Sequence, residues 1–309
     1  MLTAQALSLF AVPELDREPL RYAAERACDD PRLAGWVAEA SETVRAAVGR
    51  PSPPPALPVR SGLTLTPGHA EPADGRDPAA YLPVLAFADA LSVTLAWAQD
   101  RGVPPSVVAA TLADVGRMLT RNRQWEGRPG LGDELAGWLT RHLIGSILQV
   151  GRLQHERADA GPRTGVWLRE DGAGYVPGDL CVNLHIPETG PLRPDAVRES
   201  LRAGRTLLRR RFPQERLRVR FCVSWLLDPQ LAEYLPEGSN IRAFQGLFRV
   251  GPAKDDDGDV SVRKFVFGDT QAPVDELPQR TALERAAVAH WRAGRHWRVH
   301  VGRIDETRV

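Results

Sequence analysis

The chain has 309 residues, 43% of them hydrophobic, enough for a packed core and for two domains of ordinary size. Forty basic residues against thirty-nine acidic ones leave a formal charge of +1, so bulk charge offers no footing for a nucleic-acid or polyanion binder. Three scattered cysteines, Cys28, Cys181 and Cys222, exclude a disulfide framework and a CxxC zinc site and read as reduced thiols.

The N-terminus lacks a basic region and a small-residue cleavage site, and no later stretch looks long enough to span a bilayer at ~20 apolar residues. The expectation is a cytoplasmic protein with no nucleic-acid partner and no membrane span. In chain order, "REPLRYAAERACDD" and "RLAGWVAEASETVRAAVG" place apolar residues at helical spacing, the second closing at Gly49. The proline- and glycine-rich run from Arg50 to Pro78 predicts an extended connector. Helical pattern returns in "AAYLPVLAFADALSVTLAWAQDRG" and in "SVVAATLADVGRMLTR", where Ser106 is expected to cap the first turn.

Near residue 126 the pattern changes, which sets the expected domains at 1–125 and 126–309. A helix over "GDELAGWLTRHLIGSIL" leads into three runs, "QVGRLQHER", "TGVWLRE" and "DLCVNLHI", that alternate as strands of a meander do. "RPDAVRESLRAGRTLLRRRF" is a helix with Pro194 in its first turn, followed by the strand "RLRVRFCVSWLL". Beyond it come a short helix over "DPQLAEYLP", strands over "RAFQGLFRV" and "VRKFVFG" around an acidic turn "KDDDGD", a helix over "RTALERAAVAHWRAG" and a closing strand "HWRVHVGRI". The fold class is α+β or α/β: a helical N-terminal domain, then a mixed β-sheet flanked by helices.

The segment "NLHIPETGPLRP" carries the functional reading. In the strand that opens it, Cys181, Asn183 and His185 share a polar face, while Val182, Leu184 and Ile186 face the core. Pro187 has no amide to donate, so the ladder is expected to fail there and open a cleft toward the strand after the next helix. The loop then delivers the chain to a helix N-terminus, where unpaired amides and the helix dipole favour an anion such as phosphate.

This order of meander, polar strand, loop, helix, strand and short tyrosine-bearing helix resembles the GNAT superfamily of N-acyltransferases. More narrowly, "VGRLQHE", "NLHIPETGPL" and "CVSWLLDPQLAEYLPEGSNI" look like a bacterial subgroup with a helical N-terminal domain and a GNAT-like C-terminal domain. The resemblance implies acyl transfer from an acyl-CoA or acyl-carrier-protein thioester, a co-substrate rather than a resident cofactor, to an amine acceptor that is a small molecule or a peptide. It puts the donor along Leu184 and Ile186, the loop residues Thr189, Gly190, Leu192 and Arg193, Arg198 on the helix and Ser224 on the second strand. The family's phosphate loop reads Q/R-x-x-G-x-G/A, whereas this one offers Gly190 alone, with Pro191 removing a donor. Arg198, Arg202, Arg205 and Arg209 line one helix face and fit a CoA phosphate, an acidic carrier protein, or solvent.

Three proton-handling candidates follow. Histidine is the side chain whose ordinary pKa, about 6.5, lies nearest working pH, and His185 stands at the strand end, as a general base should. Glu188 is the alternative base, and Tyr234 matches the family's position for the acid that protonates the thiolate. Each also fits a packing or solvated role. Cys181 and His185 lie about 13 Å apart along a strand at ~3.3 Å per residue, so they form no dyad, while Cys222 stays a covalent alternative. His290, His296 and His300 show no metal spacing, and "KDDDGD" lacks the full calcium-loop pattern, so no metal site is expected. The rival reading is a non-catalytic GNAT-like module that binds an acyl thioester or a peptide. Because the helical domain is apolar, an acyl chain longer than acetyl is expected.

Overall fold

The structure, a computed structural model, describes residues 2–60, 77–268 and 270–309. The chain divides into two compact units, Met1–Gln149 and Val150–Val309.

The first unit is helical: α1 (Ala4–Leu9), α2 (Glu14–Asp29), α3 (Pro31–Ala47), α4 (Leu82–Asp100), α5 (Pro105–Leu112), α6 (Asp114–Glu126) and α7 (Asp133–Leu143). Asp30 starts α3 by accepting the Arg32 amide at 2.9 Å, with Pro31 pre-set in the first turn. Residues 50–60 of the expected connector carry no helix, and 61–76 lie outside the described residues. Two expectations change here. Ser106 does not cap α5: Pro105 already occupies the first helical position, so the helix starts one residue earlier and Ser106 falls inside it. A stretch long and apolar enough to span a membrane does exist, Pro78–Asp100, and most of it is buried in the protein. Leu82, Val84, Phe87 and Leu91 make it the core helix of this unit. Leu139, Leu143 and Ile144 join the same core, which carries the division past residue 126 to Gln149.

The second part of the chain comprises β1 (Ile147–Val150), β2 (Leu153–Asp159), α8 (Pro162–Glu170), β3 (Leu180–His185), α9 (Pro194–Arg211), β4 (Arg220–Ser224), α10 (Asn240–Gln245), β5 (Phe248–Asp257), α11 (Gly258–Phe267), α12 (Ala282–Arg292) and β6 (Arg298–Ile304). The mixed sheet runs β1-β2-β3-β4-β6-β5. Five expected strands differ. "QVGRLQHER" is broken by a turn at Gly151–Arg152 and shared between β1 and β2. "TGVWLRE" is α8, because Pro162 opens a helix and Thr164 and Leu168, four apart, bury one face. "VRKFVFG" is α11, which buries Gly258 and Val262 four apart. "RAFQGLFRV" is split: Ser239 accepts the Arg242 amide at 3.3 Å and caps α10, so the strand begins at Phe248. "RLRVRFCVSWLL" keeps only its middle, since the Ser224 hydroxyl accepts the Leu226 amide and turns Trp225–Leu227 into a 3-10 coil. The acidic "KDDDGD" is no hairpin turn, because β5 stays paired out to Asp257 opposite Arg298.

The sheet's register makes the cleft. β2 and β3 pair antiparallel from Gln154 opposite His185 to Asp159 opposite Leu180. β3 and β4 pair in parallel at only two positions, Val182 with Arg220 and Asn183 with Phe221. β4 meanwhile follows β6 up to Ser224 opposite His300. The strands therefore part after Asn183, earlier than the expected break at Pro187. β3 is held by β2 and β4 by β6, so strand twist separates them, and Pro187 only follows the end of the β2 ladder.

Candidate active site

β2 brings four consecutive buried polar residues, Gln154, His155, Glu156 and Arg157, into the sheet. Alternation sends them to two faces. Gln154 and Glu156 share a face with Asn183 and His185 of β3, and His155 and Arg157 share the other with Val182 and Leu184. Burying such groups costs several kcal/mol unless they are partnered, so their partners define what the strand does.

On the first face His185 Nε2 lies 2.7 Å from Glu156 Oε2, and Asn183 Nδ2 donates to the same oxygen at 3.1 Å. Two donors converging on one oxygen suit a carboxylate acceptor. The Glu156 side chain is 5% exposed and that of His185 23%, so the acid is enclosed and the imidazole reaches solvent where β3 and β4 part. By register Val223 faces His185 across that gap. The expected wet face does not extend to Cys181, which is buried with Leu168, Tyr175 and Phe221.

On the opposite face His155 is fully buried, its Nε2 3.4 Å from the Ser200 hydroxyl of α9. A Cβ on Gly204 would come within 2.3 Å of its ring, so only glycine lets α9 lie this close. Burial, with the nearby Arg220 and His185, pushes His155 down to about 3, and it stays neutral at ordinary pH. Ser200 accepts the Leu153 amide at 3.1 Å and donates to the Val150 carbonyl, pinning α9 to the β1–β2 turn. Arg157 is held by Glu215 and stacks on Phe212, 4.0 Å from the ring centroid.

The loop from Pro187 to Arg193 joins this site to α9. Leu184, Pro187 and Leu192 are buried, Ile186 and Arg198 half-buried, and Glu188, Thr189, Gly190 and Arg193 exposed. Gly190 sits at φ +121°, which requires glycine. Arg152, in the turn between β1 and β2, donates to the carbonyls of Pro187 at 2.8 Å, Gly190 at 2.7 Å and Pro191 at 3.2 Å. Of the helix-face arginines, Arg205 is tied to Glu306, while Arg202, Arg205 and Arg209 line a shallow groove with Thr206 and Arg210.

Other candidates sit elsewhere. The Tyr234 hydroxyl lies 3.1 Å from Nδ1 of the buried His290, and its ring stands edge-on to Trp297, in a cluster that Val223 borders. Ser224 uses its hydroxyl as a local cap. Cys222 is buried, and burial raises its thiol to about 12, as it does for Cys181, so neither is a nucleophile near neutral pH. The sequence pattern singles out neither Glu156 nor Arg152, although both lie in "VGRLQHE" and both contact the candidate site. The available signal was charge at buried strand positions, which a polar, exposed strand would also show.

A parallel pair that splays beside a polar strand end, followed by a loop and a helix N-terminus, defines a GNAT-like acyltransferase. Residues 147–304 match the GNAT-like C-terminal domain and residues 1–145 the N-acyltransferase N-terminal domain, so the chain belongs to this two-domain N-acyltransferase family. It is an acyltransferase, and the non-catalytic reading is not favoured. Solved acyltransferase structures are similar over nearly the whole chain. A complex with decanoyl-CoA is 32% identical, covers 97% of this chain and 86% of that one, and has a TM-score of 0.80. Complexes with decanoyl-CoA and teicoplanin, and with CoA and 10C-teicoplanin, are 33% identical with the same coverage and a TM-score of 0.78. No curated protein matches the chain.

Proposed function

We propose that this enzyme transfers a medium-length acyl group from acyl-CoA to a primary amine on a glycopeptide, with His185 as general base. The 2.7 Å contact between His185 Nε2 and Glu156 Oε2, at the point where β3 and β4 part, carries the reading. Glu156 accepts the Nε2 proton and so assigns basicity to Nδ1. The acceptor ammonium first loses one proton to solvent and becomes the amine nucleophile. The amine nitrogen attacks the thioester carbonyl, the C–S bond breaks, and His185 Nδ1 takes the proton the nitrogen sheds. That proton balances the one the departing thiolate needs to leave as CoA thiol.

The splay supports a pantetheine arm between Leu184–Ile186 and Val223–Ser224, and the loop at Thr189, Gly190, Leu192 and Arg193, with Arg198, supports the donor's phosphates. The Tyr234 hydroxyl is engaged by His290, which supports a packing role for it and leaves the thiolate's proton to His185. Glu188, exposed in the loop, is the second choice of base. The decanoyl-CoA and teicoplanin complexes of the similar acyltransferase support the choice of donor and acceptor. A cytoplasmic location belongs to the same reading, supported by the free thiols Cys28, Cys181 and Cys222.

The test is transfer from acyl-CoAs of roughly two to twelve carbons to a glycopeptide bearing a primary amine. Expected is a rate maximum at medium length that is abolished by His185→Gln. Transfer confined to acetyl-CoA, or undiminished in the variant, overturns it.

A further inference from the structure

The donor loop departs from the glycine-rich pattern that normally shapes such a loop, and "VGRLQHE" contains an arginine whose function is unassigned. The two observations meet in Arg152. All three of its nitrogens that face the loop donate to main-chain carbonyls, at 2.8 Å to Pro187, 2.7 Å to Gly190 and 3.2 Å to Pro191. Among the described residues none of its bonds goes to a carboxylate, so the guanidinium keeps its full charge beneath the loop. Burial pushes its pKa down from the usual arginine value, yet a guanidinium remains protonated.

We propose that Arg152 is the positioning residue of the donor loop, a cation around which residues 187–191 are wrapped so that they present a fixed, positive rim to the donor's phosphates. The physical basis is twofold. A trans peptide sets its carbonyl and the following amide antiparallel, so holding the Pro187 and Pro191 carbonyls inward turns the amides of Glu188 and Leu192 outward. The uncompensated charge adds to the dipole of α9, which begins at Pro194, with Arg193 at its N-cap and Arg198 in its second turn. A glycine-rich loop obtains its shape from backbone freedom. Here Gly190 alone supplies positive φ, and the rest of the shape comes from a side chain outside the loop.

The inference rests on the reading that the donor's phosphates lie at this loop, and two donors separate the claims. Decanoyl-CoA carries the phosphates and decanoyl-pantetheine does not. In the native enzyme the CoA thioester is expected to have the lower KM. In Arg152→Gln that KM is expected to rise about tenfold to a hundredfold, the loss of several charge-assisted hydrogen bonds, with kcat at saturating donor changed by less than about twofold. Decanoyl-pantetheine should react equally with both enzymes. Arg152→Lys, a point donor able to hold one carbonyl, falls between, and Gly190→Ala reproduces the donor-selective rise with the guanidinium intact. If Arg152→Gln does not fold, these two variants carry the test. A native enzyme that makes no distinction between the donors overturns the phosphate-loop reading. A native preference that survives in Arg152→Gln, or a loss equal for both donors, overturns the role of Arg152 alone.

Discussion

Each unit of the protein sets a histidine against a buried carboxylate within 3 Å, and the two pairs differ in what the histidine meets. In the helical unit His142 Nε2 lies 2.9 Å from Asp114 Oδ2, and both side chains are shut away from solvent. Asp114 is surrounded: Arg117 donates at 2.7 Å and Trp138 at 3.2 Å, while His142 Nδ1 faces the Trp138 carbonyl at 3.3 Å. Burial pushes the Asp114 carboxyl up, and His142 with Arg117 more than reverses this, leaving it well below the usual carboxylate range. In the sheet unit Glu156 is equally enclosed, but His185 opens toward the gap between β3 and β4. The chemistry of the pair is the same in both places. A histidine that meets substrate can move a proton, and one that meets only protein holds helices together.

Exchanging each histidine for glutamine separates the pairs most sharply. His185→Gln is expected to lower kcat about 10²- to 10⁴-fold, the usual share of a general base, with little change in unfolding free energy. His142→Gln is expected to do the reverse, removing about 3 kcal/mol of stability by leaving a buried carboxylate short of its partner, with kcat retained. Steady-state kinetics and denaturant unfolding on both variants decide it, and an unaltered rate in His185→Gln would mean that the exposed pair is structural as well.

A smaller effect is expected from Glu156→Gln, which keeps the shape but no longer holds the imidazole as a carboxylate does. The rate should fall by on the order of tenfold to a hundredfold, less than for His185→Gln. A stability loss with unchanged kcat would make Glu156 the counterpart of Asp114.

The smallest effect concerns the third buried histidine, His155, and it appears only with pH. The folded protein binds no proton there until about pH 3, whereas an unfolded chain takes one up near 6.5. Between those values the unfolded state holds more protons, so stability is lost as pH falls below 6.5. Between pH 7 and pH 5 the loss is about 2 kcal/mol from this group. Thermal or denaturant unfolding at the two pH values should show it in the native protein and not in His155→Gln. A variant with the same pH dependence would assign the effect to other groups.

Much of this is legible from residue types alone. Proline and glycine positions marked the ends of α3, α9 and the loop, and the polar residues of β3 pointed to a site at His185. Local pattern failed where two periods fit one run equally well. "TGVWLRE" and "VRKFVFG" are short, mixed stretches whose alternation suits a strand, and they are helices because Leu168 and Val262 are buried from that conformation. Chain order alone determined that an acyltransferase-like strand, loop and helix follow one another, and that His185 stands at the turn between them. Only the tertiary structure decided which carboxylate His185 meets and what shapes the loop. Glu156 reaches it through the antiparallel register of β2 and β3, and Arg152 reaches the loop from 35 residues away from Pro187. Strand register and side-chain reach depend on every packed neighbour, so neither can be read from the spacing of residues along the chain.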